Sequence, residues 1–254
     1  MSTKHYNISY LEDTSVVLKN IKEYSYDPFT SIENGTIIDL GCGTGLDVIN
    51  MSKIINGEVK IIGIDHDPEI LNKAKASIGD IQNIDFILSE AYPIPFKDES
   101  ISGIRSERLM QHLTDAERVV TEMHRVLKSG QPLLIVETDW LSLAFYNEFV
   151  PIEKKIIRYL TEVKINNGMA SRKLTSYLEN CNFRNIKLEV FPFVLKSLKE
   201  ANDYFWIELI LKEILEKNYI DENEHYLFTN ALRQADENNY FACSINVVVV
   251  SSIK

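Results

Sequence analysis

Cysteine, metal-ligand spacings, basic patches and long apolar runs are all scarce in this chain. Three cysteines, Cys42, Cys181 and Cys243, lie far apart in 254 residues with no C-x-x-C pair, which argues against a zinc site and against a disulfide framework. A reducing, cytoplasmic setting is the expectation. His5, His66, His124 and His225 show no H-x-x-x-H or other ligand spacing, so no metal is expected. The N-terminal MSTKHYNISYLEDTS has no apolar core of signal-peptide length, and 247-VVVV-250 is far too short to cross a bilayer, so neither export nor a membrane span is expected. Lys plus Arg number 27 against 37 for Asp plus Glu, a formal charge of -10, which repels phosphate backbones. The densest basic stretch, 153-EKKIIRYLTEVK-164, is broken by acids and apolar residues and reads as the solvated face of a helix. A nucleic-acid partner is therefore not expected. No repeat, low-complexity tract or Pro/Gly-rich linker marks a domain boundary.

What the chain does have is an alternation. Apolar runs at 36–40, 59–65, 84–88, 100–106 and 132–139 alternate with helical patterns, the signature of βαβ units and a parallel sheet covered on both faces. Asp67 followed by Pro68 reads as a helix start, as does 114-TDAE-117, and 128-KSG-130 reads as a helix end. Beyond Trp140 the spacing predicts helices at about 148–165, 171–181, 199–216 and 222–238, with extended runs at 185–195 and 241–252 completing the sheet. Residues 196–239 form a helical insertion, whose cluster Tyr204, Phe205 and Trp206 reads as core. Tyr6, Tyr10, Tyr24, Tyr26 and Phe29 are compatible with a helical cap or with packing on the sheet edge.

The stretch 37-IIDLGCGTGLDV-48 places Gly41, Gly43 and Gly45 between a buried strand and a helix, where ligands of open α/β sheets bind. A dinucleotide fingerprint wants its third glycine at position 46, which is Leu46. The second strand ends in Asp65, placed to accept hydrogen bonds from both hydroxyls of a ribose. Loop and acid together imply an adenosine-bearing ligand without demanding a diphosphate.

IIDLGCGTG, GIDHDPEIL, SEAYPIPFKDESI, RLMQHL and EMHRVLKSGQPLLIVE, in that order, resemble the class I S-adenosylmethionine-dependent methyltransferases, closest in style to the small-molecule and quinone-type enzymes. The resemblance is strong over about 34–140 and looser to Ser252. It implies a Rossmann-like class I α/β fold with a mostly parallel seven-stranded sheet flanked by helices. Residues 1–34 would form an N-terminal helical cap segment and 35–254 the methyltransferase domain, with 196–239 as a lid. It implies S-adenosylmethionine as cofactor and S-adenosylhomocysteine as product. Asp39, Gly41, Cys42, Gly43 and Gly45 would line the methionine moiety, Asp65 would hold the ribose, and His66, Glu90 and Ala91 would meet the adenine. The family usually has Asp where Glu90 stands. Arg105 and Ser106 would sit beside the methionine part, although Arg105 and Arg108 are equally able to pair with Glu107 or Glu90 as architecture. A sulfonium cation suits Asp39 and Asp65 better than a pyrophosphate would.

Three residues are candidates for chemistry. His112 has three open roles: general base, cofactor contact and loop anchor. Glu137 and Asp139 end the fifth strand at the ligand edge of the sheet and either orient an acceptor or cap loops. Cys42 reads as packing rather than as a nucleophile. The expected activity is methyl transfer to O, N or C of a small organic acceptor, natural-product or quinone-like, by a monomer or homodimer. The alternatives are a nicotinamide oxidoreductase and a non-catalytic or repurposed methyltransferase-like protein.

Overall fold

The strands form because apolar residues run without interruption and neighbouring side chains are buried on opposite faces. In β1 (Asn34–Leu40), Ile37 belongs to one core and Ile38 to the other; Ile61 and Ile62 of β2 (Glu58–Asp65) divide the same way. Each such isoleucine is worth about 1.5–3 kcal/mol of burial. This computed structural model describes residues 18–254, so Tyr6, Tyr10 and the first half of the expected cap segment lie outside the described residues.

The sheet contains seven strands in the order β3-β2-β1-β4-β5-β7-β6. After β1 and β2 come β3 (Ile84–Leu88), β4 (Gly103–Glu107), β5 (Pro132–Phe145), β6 (Arg184–Leu195) and β7 (Cys243–Ile253). The first five pair in parallel, while β7 runs antiparallel between β5 and β6. The mostly parallel, helix-flanked sheet expected from the sequence is the one that forms.

Helix α1 (Lys19–Tyr26) precedes the sheet, α2 (Leu46–Ile54) follows the glycine loop, and α3 (Pro68–Ser77) follows β2. Asp67 caps α3 by accepting the Glu69 and Ile70 N–H groups. The cap of α4 (Ala116–Val126) lies one residue later than the sequence pattern suggests. Asp115 accepts the Arg118 N–H, and the chain leaves the helix at Leu127, ahead of Lys128. Lys128 instead reaches Ser102 Oγ at 3.0 Å, which ties the end of α4 to the approach to β4.

Helix α5 (Val150–Tyr159) runs into a π-turn at Leu160–Lys164, and α6 (Ala170–Asn180) packs on the sheet before β6. The insertion holds α7 (Leu198–Phe205), α8 (Ile207–Glu216) and α9 (Glu222–Glu237). The single helix expected over 199–216 is broken at Trp206, whose backbone is left-handed at φ 55° and ψ 44°. Such a conformation in a bulky residue costs on the order of 1–3 kcal/mol. Asn202 stabilises the break from both sides: its carbonyl accepts the Trp206 N–H at 2.8 Å, and its Oδ1 accepts the Glu208 N–H at 3.0 Å.

Candidate functional site

The glycine loop leaves β1 at the carboxyl edge of the sheet, with Gly41, Gly43 and Gly45 all at positive φ. At Gly45 a Cβ would lie 2.4 Å from the Phe86 ring, so this glycine lets the loop settle on β3. The loop is fixed from the next strand. Asp65 Oδ2 accepts the Gly43 N–H at 2.9 Å and Oδ1 accepts the Asp67 N–H at 3.0 Å. One carboxylate therefore joins the glycine loop to the start of α3.

A cavity of about 1160 Å³, measured out to its mouth, opens beside this junction. Gly41, Gly43, Asp65, His66, Ser89 and Ala91 line one end. The other end is aromatic and apolar, with Trp140, Leu160, Tyr204, Phe205, Trp206 and Ile210. Charged and polar side chains along the cavity include Glu107, Arg108, Gln111, His112 and Lys164. Three unusual backbone segments supply this second end: the left-handed Arg108, the π-turn carrying Leu160 and Lys164, and the left-handed Trp206. Tyr204 and Phe205 are core residues, as the sequence suggests, and also cavity wall.

A smaller pocket of about 410 Å³ adjoins the loop on its other side and is charged. Arg105 on β4 is fully buried beneath it. Its guanidinium donates to Asp39 Oδ1 at 3.1 Å, to Glu107 and to Ser25 Oγ at 2.8 Å, and stands 3.6 Å from Asp47. Lys22 of α1 bridges Asp47 and Glu107, each at 2.7 Å, and the Tyr26 hydroxyl donates to Asp47. Burial pushes the Asp39 carboxyl up to about 6, and Arg105 only partly offsets it. For Asp47 and Glu107 burial pushes the same way, but Arg105 and Lys22 outweigh it and hold both below the usual carboxylate range. Burial would lower Arg105, but Asp47, Asp39 and Glu107 outweigh it and keep the cation.

The residues singled out from the sequence thus divide. Gly41, Gly43, Asp65, His66, Ala91 and His112 line the large cavity, and Asp39, Cys42 and Arg105 line the small pocket. Cys42 is buried against Gly63, and burial pushes its thiol well above the ordinary range, which disfavours a thiolate. Glu90 is exposed and lines neither space, and Ser106 is spent on the Leu40 carbonyl at 3.0 Å. Asp139 is buried behind the wall, bonded to Arg172 at 2.6 Å and to Ser171 at 3.2 Å. Glu137 is also behind it, accepting the Gln111 and Thr138 N–H groups, each at 3.1 Å. Among the described residues no cluster of three or more His, Cys, Asp or Glu is arranged to hold a metal ion.

Burial pushes Glu137 up to about 8, against the pull of the Thr138 and Gln111 N–H groups. An unfolded glutamate titrates near 4.5, so between these values the folded protein keeps a proton that the unfolded chain has lost. Stability should therefore fall as pH rises from about 4.5 to about 8, by a few kcal/mol in order of magnitude. Glu137→Gln should flatten that part of the curve, which urea midpoints measured across the range would show.

An open α/β sheet with a glycine loop and an acid at the end of the second strand defines a nucleoside-binding class of protein. Residues 32–162, just over half of the chain, match the family described as methyltransferase domain, and the chain belongs to that family. It is 27% identical over 215 residues to an uncharacterized 37.1 kDa protein in transposon TN4556 of Streptomyces fradiae, covering 84% of this chain and 62% of that one. It is 30% identical over 131 residues to the demethylmenaquinone methyltransferase of Lactococcus lactis, covering 50% of this chain and 52% of the relative. The chain thus spans less than two thirds of these relatives. A structure of the Haemonchus contortus phosphoethanolamine N-methyltransferase 2 with S-adenosyl-L-methionine superposes with a TM-score of 0.61 at 14% identity, covering 99% of this chain and 58% of that one. That likeness is one of fold.

Proposed function

We propose that the protein transfers the methyl group of S-adenosylmethionine to a small organic acceptor, natural-product or quinone-like. The observation that carries this reading is Asp65, which holds the glycine loop and faces the large cavity at once. Its carboxylate keeps lone pairs for the two ribose hydroxyls. His66 and Ala91 flank the adenine position, with Glu90 on its outer rim, while Gly41 and Gly43 let the backbone lie against the ligand. Asp39, Cys42, Gly45, Arg105 and Ser106 shape the methionine side, most of them from beneath the loop. When bound, the cofactor supplies an electrophilic methyl group on a sulfonium. The chain's own task is orientation, an effect that can contribute roughly 7–11 kcal/mol. The aromatic end of the cavity excludes water and holds the acceptor, with His112 as its polar contact and Glu137 and Asp139 as supports behind it.

The domain reading goes with this function: residues 35–254 form the methyltransferase unit, and the 196–239 insertion serves as lid. The acidic charge and the scattered cysteines support a cytoplasmic enzyme that acts on small molecules rather than nucleic acid, and a monomer or homodimer is the proposed state. Among the described residues no helix is long and apolar enough to cross a membrane.

Both tryptophans of the chain, Trp140 and Trp206, line the large cavity, so ligand entry should be visible in intrinsic fluorescence. S-adenosylhomocysteine should quench that emission and give a calorimetric isotherm, whereas NADH should do neither. Preferential NADH binding would point to the oxidoreductase instead.

A further inference from the structure

Trp140, Gln111 and His112 form a chain of hydrogen bonds along the acceptor-side wall, and its polarity follows from which groups can only donate. An indole nitrogen is a donor only. Trp140 Nε1 lies 2.6 Å from Gln111 Oε1, so that oxygen accepts and the Gln111 amide has its NH2 turned the other way. The NH2 has two neighbours at 3.3 Å, the Arg108 carbonyl oxygen and His112 Nε2. A carbonyl only accepts, so one amide hydrogen goes to Arg108 and the other meets the imidazole. Two N–H groups do not hydrogen-bond to each other. Nε2 of His112 therefore carries the lone pair, and the ring proton lies on Nδ1.

The backbone around this chain is held on several sides. Glu137 accepts the Gln111 N–H at 3.1 Å, the Asn167 N–H donates to the Gln111 carbonyl at 2.9 Å, and Asn166 Nδ2 donates to the His112 carbonyl at 3.0 Å. Trp140 is itself buried, with its ring edge-on to Phe205 at 5.8 Å. The amide has little freedom to turn over.

We propose that Trp140 and Gln111 are positioning residues that set His112 as the neutral, Nδ1-protonated tautomer. In that tautomer the lone pair of Nε2 is engaged by the Gln111 amide and is withheld from proton abstraction. The matching acceptor is a molecule whose methylated atom does not depend on Nε2 to lose its proton. This rests on reading the cavity as a methyl-acceptor site and refines one of its residues.

Two-bond proton–nitrogen NMR correlations on the full-length, nitrogen-labelled protein test it at about pH 8, above the ordinary imidazole range. The His112 signals are assigned by their loss in His112→Gln. The parent should show the proton on Nδ1. Gln111→Glu keeps an oxygen for Trp140 but turns a second oxygen toward the imidazole, and should move the proton to Nε2. Trp140→Phe removes the donor that fixes the amide and should give a mixture of tautomers. A parent protein protonated on Nε2, or the same tautomer in the parent and in Gln111→Glu, would overturn the proposal. The parent spectrum decides the sign alone, so a variant that fails to fold does not shelter it. S-adenosylhomocysteine calorimetry on the same samples tests the methyl-transfer reading separately, since lost cofactor binding would leave the tautomer assignment intact.

Discussion

Arg105→Met should destabilise the fold by about 3–5 kcal/mol, the range for removing one partner from a buried ionic cluster. Arg105 is the fully buried cation among Asp39, Asp47 and Glu107, and it also donates to Ser25. Without it, Lys22 still bridges Asp47 and Glu107, but among the described residues no other cation pairs with Asp39 at the bottom of the pocket. The loss should depend on pH with a definite sign. Asp39 already holds its proton up to about 6 in the folded parent, against an ordinary value of 3.8, so folding is weakened as pH rises through that interval. Removing Arg105 should raise Asp39 further and extend the weakening above pH 6. The gap between parent and variant should therefore narrow on acidification, and Arg105→Met combined with Asp39→Asn should recover part of it. Urea midpoints at several pH values would measure both effects, and a gap that does not vary with pH would remove Asp39 from the account.

Asp65→Ala should weaken S-adenosylhomocysteine binding by about 10²–10⁴-fold, because two hydrogen bonds to a charged group are each worth about 1.5–3 kcal/mol. The same substitution frees the Gly43 and Asp67 N–H groups, so a loosened loop and a lost ribose contact would act together. Asp65→Asn separates them. Its single oxygen can keep one backbone contact while the amide nitrogen cannot accept from a hydroxyl, so its affinity should fall between parent and Asp65→Ala. Calorimetry gives all three values. Equal affinity in parent and Asp65→Ala would remove the ribose assignment.

Much of the fold was legible because burial on both faces of a parallel sheet leaves continuous apolar runs, as in 36-TIIDL-40 and 132-PLLIV-136. The break at Trp206 was not. Good helix formers continue through 207-IELILKEILE-216 with no Gly or Pro, and the interruption depends on Asn202 bonding across it. At the candidate site, the glycine loop and Asp65 were legible because they lie in consecutive βα units. Lys22, Asp47 and Glu107 come from α1, α2 and β4 and meet only in three dimensions. The Arg105–Glu107 pairing was among the sequence's own alternatives, since residues two apart on one strand share a face. Gln111 gave one usable hint, its place beside His112, but its partner Trp140 lies on the neighbouring strand and fixes its orientation only after folding.

The position of β7 also orders events while the chain is being made. Strand β6 joins the sheet only through β7, so when β6 leaves the ribosome the seat it will occupy does not yet exist. Strands β1 to β5 can already be paired, and with them the glycine loop and Asp65. The part of the wall carried by α7, with Tyr204 and Phe205, packs on β6 and is seated only once β7 lies between its two neighbours. A nascent chain halted before β7 would hold the glycine loop and Asp65 in place without the finished aromatic end of the large cavity.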